Sequence, residues 1–138
     1  MGAMNGFTAE DNESLDQAGR ILREHGWKKA FTLDEMMTAW EQLVAEVELG
    51  YSDMVDEYTN DLACRDWLAA VWPLIAEHVR TVREPELNAL DLRFLAATTE
   101  DNAEELRRFY STDAKDAWWW RRLPLRRFGE FAADLKSL

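Results

Sequence analysis

Residues Leu33, Met37, Trp40, Val44, Val47, Tyr51, Met54 and Tyr58 follow one another at steps of four and three, which predicts one apolar seam down a helix of about seven turns over 33–58. Such a stripe must be covered by other elements before the chain can leave water. The same step carried further reaches Asp61, Arg65, Leu68 and Trp72. Two residues able to form an ion pair therefore stand where hydrophobes were due, and a broken local rule marks a place of function or strain.

The rest of the chain patterns as helix around that seam. Leu15, Ala18, Ile21 and Leu22 share a face over 12–25, with Gly26 at the stop. Thr32 and Glu35 form a capping box at the start of the seam helix. Gly50 falls on the face opposite the seam at a cost of about 1 kcal/mol relative to Ala. The register continues past it, so a continuous or gently bent helix is expected. Asn60 and Asp61 offer the backbone competing local hydrogen bonds, which predicts a jog there and a further helix over 62–71. Pro73 suits the first turn of the next helix, which carries Leu74, Ile75, Val79 and Val82. Pro85 is expected to break or kink the path before another helix bearing Leu87, Leu90, Phe94 and Leu95. A short helix is expected over 102–110, an irregular strap with Pro124 over 111–128, and a small final helix with Phe131 and Leu135. No period-two alternation with turn signals appears, which argues against a sheet. These elements predict an all-α, single-domain bundle of five to six helices over 1–138, with 1–10 as a flexible N-terminus.

Charge limits the partners. The chain carries −11. Residues 115–138 hold six Lys/Arg against three Asp/Glu, or +3, leaving ten basic against 24 acidic residues, or −14, on the remainder. Such a body repels phosphate backbones and argues against duplex nucleic acid. It attracts basic proteins, although acidity also serves solubility alone. The longest uncharged apolar run, 67–76, contains Pro73 and falls below the ~20 residues of a membrane span. No basic segment followed by an apolar one opens the chain, so a cytoplasmic protein is expected. Cys64 is the single cysteine. A disulfide within the chain is therefore excluded, and Cys64 reads as a small packing residue.

Two constellations carry possible chemistry. The first is Asp53, Asp56, Glu57, Asn60, Asp61 and Arg65, followed by Asp66. Helical spacing aligns Asp53, Glu57 and Asp61 on one ridge, with Asp56 and Asn60 beside it. Like charges four apart repel unless Arg65 or a divalent cation neutralises them. The bland reading is a solvated acidic face with a shielded Asp61–Arg65 ion pair. The sharper reading is a partner-binding face. A metal site has little behind it, since neither a Glu-x-x-His pair nor a calcium-type loop is present. The second constellation is Trp118, Trp119, Trp120, Arg121 and Arg122, continuing through Arg126, Arg127 and Phe128. Trp with Arg is the composition of interface hot spots and of cation–π stacks. Its bland reading is a strap whose indoles close the bundle while its arginines pair with the acidic helices. Phosphate-cradling, nucleophile-elbow and zinc-protease motifs are absent. Asp53-x-x-Asp56 is the nearest approach to the paired acidic motifs of all-α nucleotide pyrophosphohydrolases, and the second motif is missing.

The stretch from Gly50-Tyr51 through Tyr58-Thr59-Asn60-Asp61-Leu62 to Arg65-Asp66, with the late Trp-Trp-Arg-Arg-x-Pro, resembles a group of small proteins of high-GC bacteria that brings no assigned activity. That resemblance implies that Asp61, Arg65 and the Trp-Arg strap belong to one design. The function expected is non-enzymatic: an acidic domain that masks a basic surface of a partner protein in the manner of an immunity protein, antitoxin or inhibitor, without a cofactor. The alternative is a small enzyme or ligand-binding domain with a pocket around Asp61, Arg65, Tyr58 and the strap 118–122. Exposure of the acidic ridge favours the first, and its neutralisation by Arg65, Arg121 or Arg122 removes that support.

Overall fold

The computed structural model describes residues 7–53, 55–100 and 117–136. Within them the chain forms α1 (Ala9–Glu24), α2 (Leu33–Leu49), α3 (Val55–Val71), a 3-10 turn (Trp72–Leu74), α4 (Glu77–Ala97), β1 (Thr98–Glu100), a second 3-10 turn (Trp118–Arg121), β2 (Arg122–Pro124) and α5 (Gly129–Lys136). The helix expected over 102–110, the first part of the strap at 111–116 and Met54 of the seam lie outside the described residues.

Capping sets the starts. Thr8 and Asp11 exchange side-chain and backbone hydrogen bonds at 3.0 Å each, a capping box that begins α1 three residues before its apolar periodicity does. Phe7, expected within a flexible terminus, is buried. Thr32 and Glu35 cap α2 as the sequence predicts. Gly19 lets α1 approach the loop before α2, because a Cβ there would stand 2.6 Å from the Phe31 carbonyl oxygen.

The seam is real but the long helix is not. Leu33, Met37, Trp40, Val44, Val47, Tyr51, Tyr58 and Leu68 are all buried. Gly50, at φ +122°, ends α2, and a side chain there would collide with the ring of Phe128. Tyr51 leaves the helix to pair with the C-terminal segment: its N–H donates to the Arg126 carbonyl at 2.9 Å, and its carbonyl accepts from the Phe128 N–H at 2.9 Å. The chain then re-enters α3, which packs back against α2. The seven-residue spacing of Tyr51 and Tyr58 is preserved across the turn, so the periodicity could not reveal it. The seam is thus satisfied within one chain, where its side chains fill the core between helices.

Three further expectations are corrected. No jog occurs at 59–61, since α3 runs unbroken from Val55 to Val71. Pro85 lies inside α4 without ending it. The lost hydrogen bond and steric conflict cost about 3 kcal/mol, and burial of Val79, Leu87, Leu90 and Phe94 along that helix supplies the compensation. A small antiparallel sheet forms after all, pairing Thr98 with Pro124, Thr99 with Leu123 and Glu100 with Arg122. Its three-residue strands are too short to show alternation. The core centres on Trp40, which is 0% exposed and stacks on Phe94 with ring centroids 4.8 Å apart. At the hairpin end Tyr51, Tyr58 and Phe131 form a triangle of edge-on rings at 5.2–5.5 Å. Among the described residues no helix is long and apolar enough to cross a membrane.

Candidate functional site

Asp61 and Arg65, one turn apart on α3, do not pair. The Arg65 guanidinium reaches across to α4 and grips Asp91 in a bidentate pair, Nε to Oδ1 at 3.0 Å and Nη2 to Oδ2 at 2.9 Å. The side chains are only 9% and 16% exposed. The Trp40 indole donates to the same Oδ1 at 3.0 Å, and the guanidinium carbon lies 4.4 Å from the Trp119 ring centre. A charge so placed is paired, hydrogen-bonded and flanked by π-faces, which is what lets it remain buried. Asp91 was not singled out from the sequence. It sits between Leu87, Leu90 and Phe94 on an apolar face, the same kind of broken pattern that marked Asp61 and Arg65.

The strap is organised by α3 rather than by the acidic ridge. Asp66 Oδ1 accepts from the indoles of Trp119 and Trp120 at 2.8 Å each, and the Tyr58 hydroxyl donates to the Arg122 carbonyl at 2.8 Å. Trp119 and Trp120 are buried, while Trp118 stays half-buried, as three adjacent indoles require. Among the described residues Arg122 does not reach an acidic helix. It donates to the Thr98 hydroxyl at 2.7 Å and to the Thr98 carbonyl at 2.8 Å, clamping β2 to β1. Arg126 and Arg127 donate to the Glu48 and Pro124 carbonyls. Arg121 is exposed.

Asp61 instead faces outward between α2 and α3. Its Oδ2 accepts from the Tyr51 hydroxyl at 2.9 Å. Burial raises its pKa above the ordinary aspartate value. The Tyr51 hydrogen bond opposes that rise, and repulsion from Glu46, Glu57 and Asp53 adds to it. Glu57, Asn60, Asp53 and Glu46 are exposed. Asp53 precedes α3 instead of continuing its ridge, and the side chain of Asp56 lies outside the described residues. Elsewhere on α2, Asp34 pairs with Arg83, Glu35 with Lys29 and Glu48 with Arg93, while Glu41 forms no ion pair among the described residues. Among the described residues Glu46, Glu57 and Asp61 form no ion pair.

This acidic corner opens onto a groove of about 610 Å³ between α2, α3 and the loop before α2. Met36, Leu43 and Cys64 form its buried floor, Trp27 and Phe31 its aromatic end, and Glu46, Asn60 and Asp61 its acidic end. The Cys64 thiol, pushed up to about 12 chiefly by burial, donates to the Asp61 carbonyl at 3.1 Å and is inert as a nucleophile at neutral pH. Trp27, Phe31, Leu43 and Glu46 were missed as site residues. The signal available was a second apolar stripe, Met36, Ala39 and Leu43, beside the seam.

The residues expected in one pocket are therefore divided. Asp61 lines the groove, whereas Trp118, Arg121 and Arg122 line a separate cleft with Leu95 and Glu100. Tyr58 and Arg65 are buried beneath. Among the described residues no group of three or more His, Cys, Asp or Glu side chains is placed to hold a metal ion. Comparison of the chain with protein-family models, with curated proteins and with solved structures returned no match.

Proposed function

We propose that this protein is a non-enzymatic binding domain that captures a basic surface of another protein through the corner formed by α2 and α3, in the manner of an inhibitor or immunity protein. One observation carries the reading. Glu46 and Asp61 stand at one end of an apolar groove, with the exposed Glu57 one turn before Asp61 on α3, while Arg65 and Arg122 are engaged by Asp91 and Thr98. Solubility alone calls for dispersed charge of either sign. It does not account for carboxylates that form no ion pair among the described residues standing beside a partly buried one, an arrangement that a cationic partner would relieve.

The test compares wild type with the Glu46→Lys/Glu57→Lys variant. Both side chains are exposed, so the fold should persist. Each protein is used to capture proteins from extract of the source cells, and the captured protein is then purified and its association rate measured at low and high salt. The reading predicts a partner with a pI above about 9 whose association slows in the variant and in salt. Identical association of wild type and variant, insensitive to salt, would overturn it.

A further inference from the structure

We propose that the groove between α2 and α3 is a docking trough for a short amphipathic, basic helix of the partner, laid apolar face down with its Lys or Arg toward Glu46 and Asp61. This inference rests on the partner-binding reading and adds to it the form of the recognised element. The groove has the anatomy of a protein interface: a buried apolar floor and an exposed polar rim of Lys28, Gln42, Glu46 and Asn60.

Its length along α2 accommodates a short helix. The lining residues of α2, from Met36 through Ala39 and Leu43 to Glu46, recur at helical spacing along one face. At 1.5 Å per residue they span roughly 15 Å, almost three turns of a bound helix with anchors at i, i+3, i+4 and i+7. Ala39 and Ala63 on opposite walls leave room for the partner's side chains to descend between Trp27 and Phe31 at one end and Asp61 at the other.

Charge gives the occupant its sign and direction. The acidic end holds Glu46 and Asp61, with Glu57 close enough to Asp61 to raise its pKa. The opposite end carries Lys28. Lys29, its neighbour, is bound to Glu35 at 3.2 Å. A second copy of this chain carries −11 overall, and Arg122, Arg126 and Arg127 of its basic segment donate to backbone carbonyls of their own chain. A basic helix pairs with the acidic end and buries its apolar face over the floor.

The probe is a labelled synthetic peptide of about fourteen residues, Leu at the anchor positions and Arg on the flanks, set against a scrambled isomer of the same composition. Fluorescence anisotropy at low salt should show the amphipathic peptide binding about tenfold or more tighter than the scramble. Ala39→Phe fills the trough and should remove that advantage. Gln42→Trp, at an exposed rim position, is the second blocking variant should Ala39→Phe not fold. Glu46→Lys/Glu57→Lys should weaken both peptides. Equal binding of the two peptides, untouched by either blocking variant, would overturn the trough while leaving the charge-dependent reading intact. Binding unaffected by the charge reversal would overturn both. Self-association of the chain in sedimentation, abolished by Gln42→Trp, would assign the groove to a second copy and overturn the proposal.

Discussion

Replacing Asp91 by Leu removes one carboxylate and three hydrogen bonds from the middle of the bundle. Arg65 loses its bidentate partner while its side chain remains 9% exposed, and the Trp40 indole loses its acceptor. Breaking a buried pair from one side costs about 3–5 kcal/mol. At about 2.1 cal/mol/K per residue the unfolding entropy of the 138-residue chain is roughly 290 cal/mol/K, so the melting temperature should fall by roughly 10–17 °C. Much of that penalty is the stranded guanidinium. In the Arg65→Met/Asp91→Leu double variant the stranded charge is gone, and what remains is mainly the orphaned indole, worth about 1–3 kcal/mol. Urea unfolding of the wild type, both single variants and the double variant gives the coupling directly. The reasoning predicts a double variant more stable than Asp91→Leu by about 2 kcal/mol, comparing the two penalties. Additivity of the single effects within about 0.5 kcal/mol would refute it.

Asp66→Ala should remove the acceptor shared by the Trp119 and Trp120 indoles, at about 1–3 kcal/mol for each hydrogen bond lost, with loss of near-ultraviolet circular dichroism, whereas Asp66→Asn keeps an acceptor oxygen and should cost less; equal losses would contradict the shared hydrogen bond. Trp40 and Trp67 are both fully buried, but the Trp67 indole nitrogen has no hydrogen-bond partner among the described residues. Trp40→Phe should therefore destabilise more than Trp67→Phe, by about 1.5–3 kcal/mol for a hydrogen bond to a charged group, in paired denaturant titrations. Asp61 is held above its ordinary pKa, so the folded state keeps its proton where the unfolded chain has lost it. Its contribution to stability accordingly grows as pH falls from above the raised pKa toward the ordinary aspartate value. Asp61→Asn, which retains an acceptor for the Tyr51 hydroxyl, should be more stable than wild type at pH 7, and the difference should shrink through that window. A difference that grows on acidification would contradict the sign of the shift.

Which side chains lie inside was legible from residues; which partners they choose was not. The seam named the core correctly because burial follows periodicity whether one helix or two carry it. The turn at Gly50 stayed hidden because Tyr51 keeps the step of seven while leaving the helix, held by backbone bonds to residues 126 and 128 that are remote in sequence. Asp61 and Arg65 were found by the hydrophobic pattern they break. Their pairing was misassigned because a spacing of four makes contact possible without excluding a stronger partner, and Asp91 offers two aligned oxygens where Asp61 is taken by Tyr51. The strap's indoles pointed to packing, but their acceptor, Asp66, looked like one more member of an acidic surface. The groove depends on how α2 and α3 splay beneath Trp27 and Phe31, a tertiary relation with no local signature.

The acidic end of the α2–α3 groove as the partner-capturing surface is tested most directly by nuclear magnetic resonance. The ¹⁵N-labelled protein is titrated with the Leu/Arg amphipathic peptide, and shifts are mapped onto the backbone amides and the seven indole N–H signals. The account predicts saturable shifts concentrated at Trp27, Phe31, Ala39, Glu46, Asp61 and Cys64, abolished by Glu46→Lys/Glu57→Lys. Shifts spread over the exposed acids of α1 and α4, with the groove residues and the Trp27 indole unmoved, would contradict it.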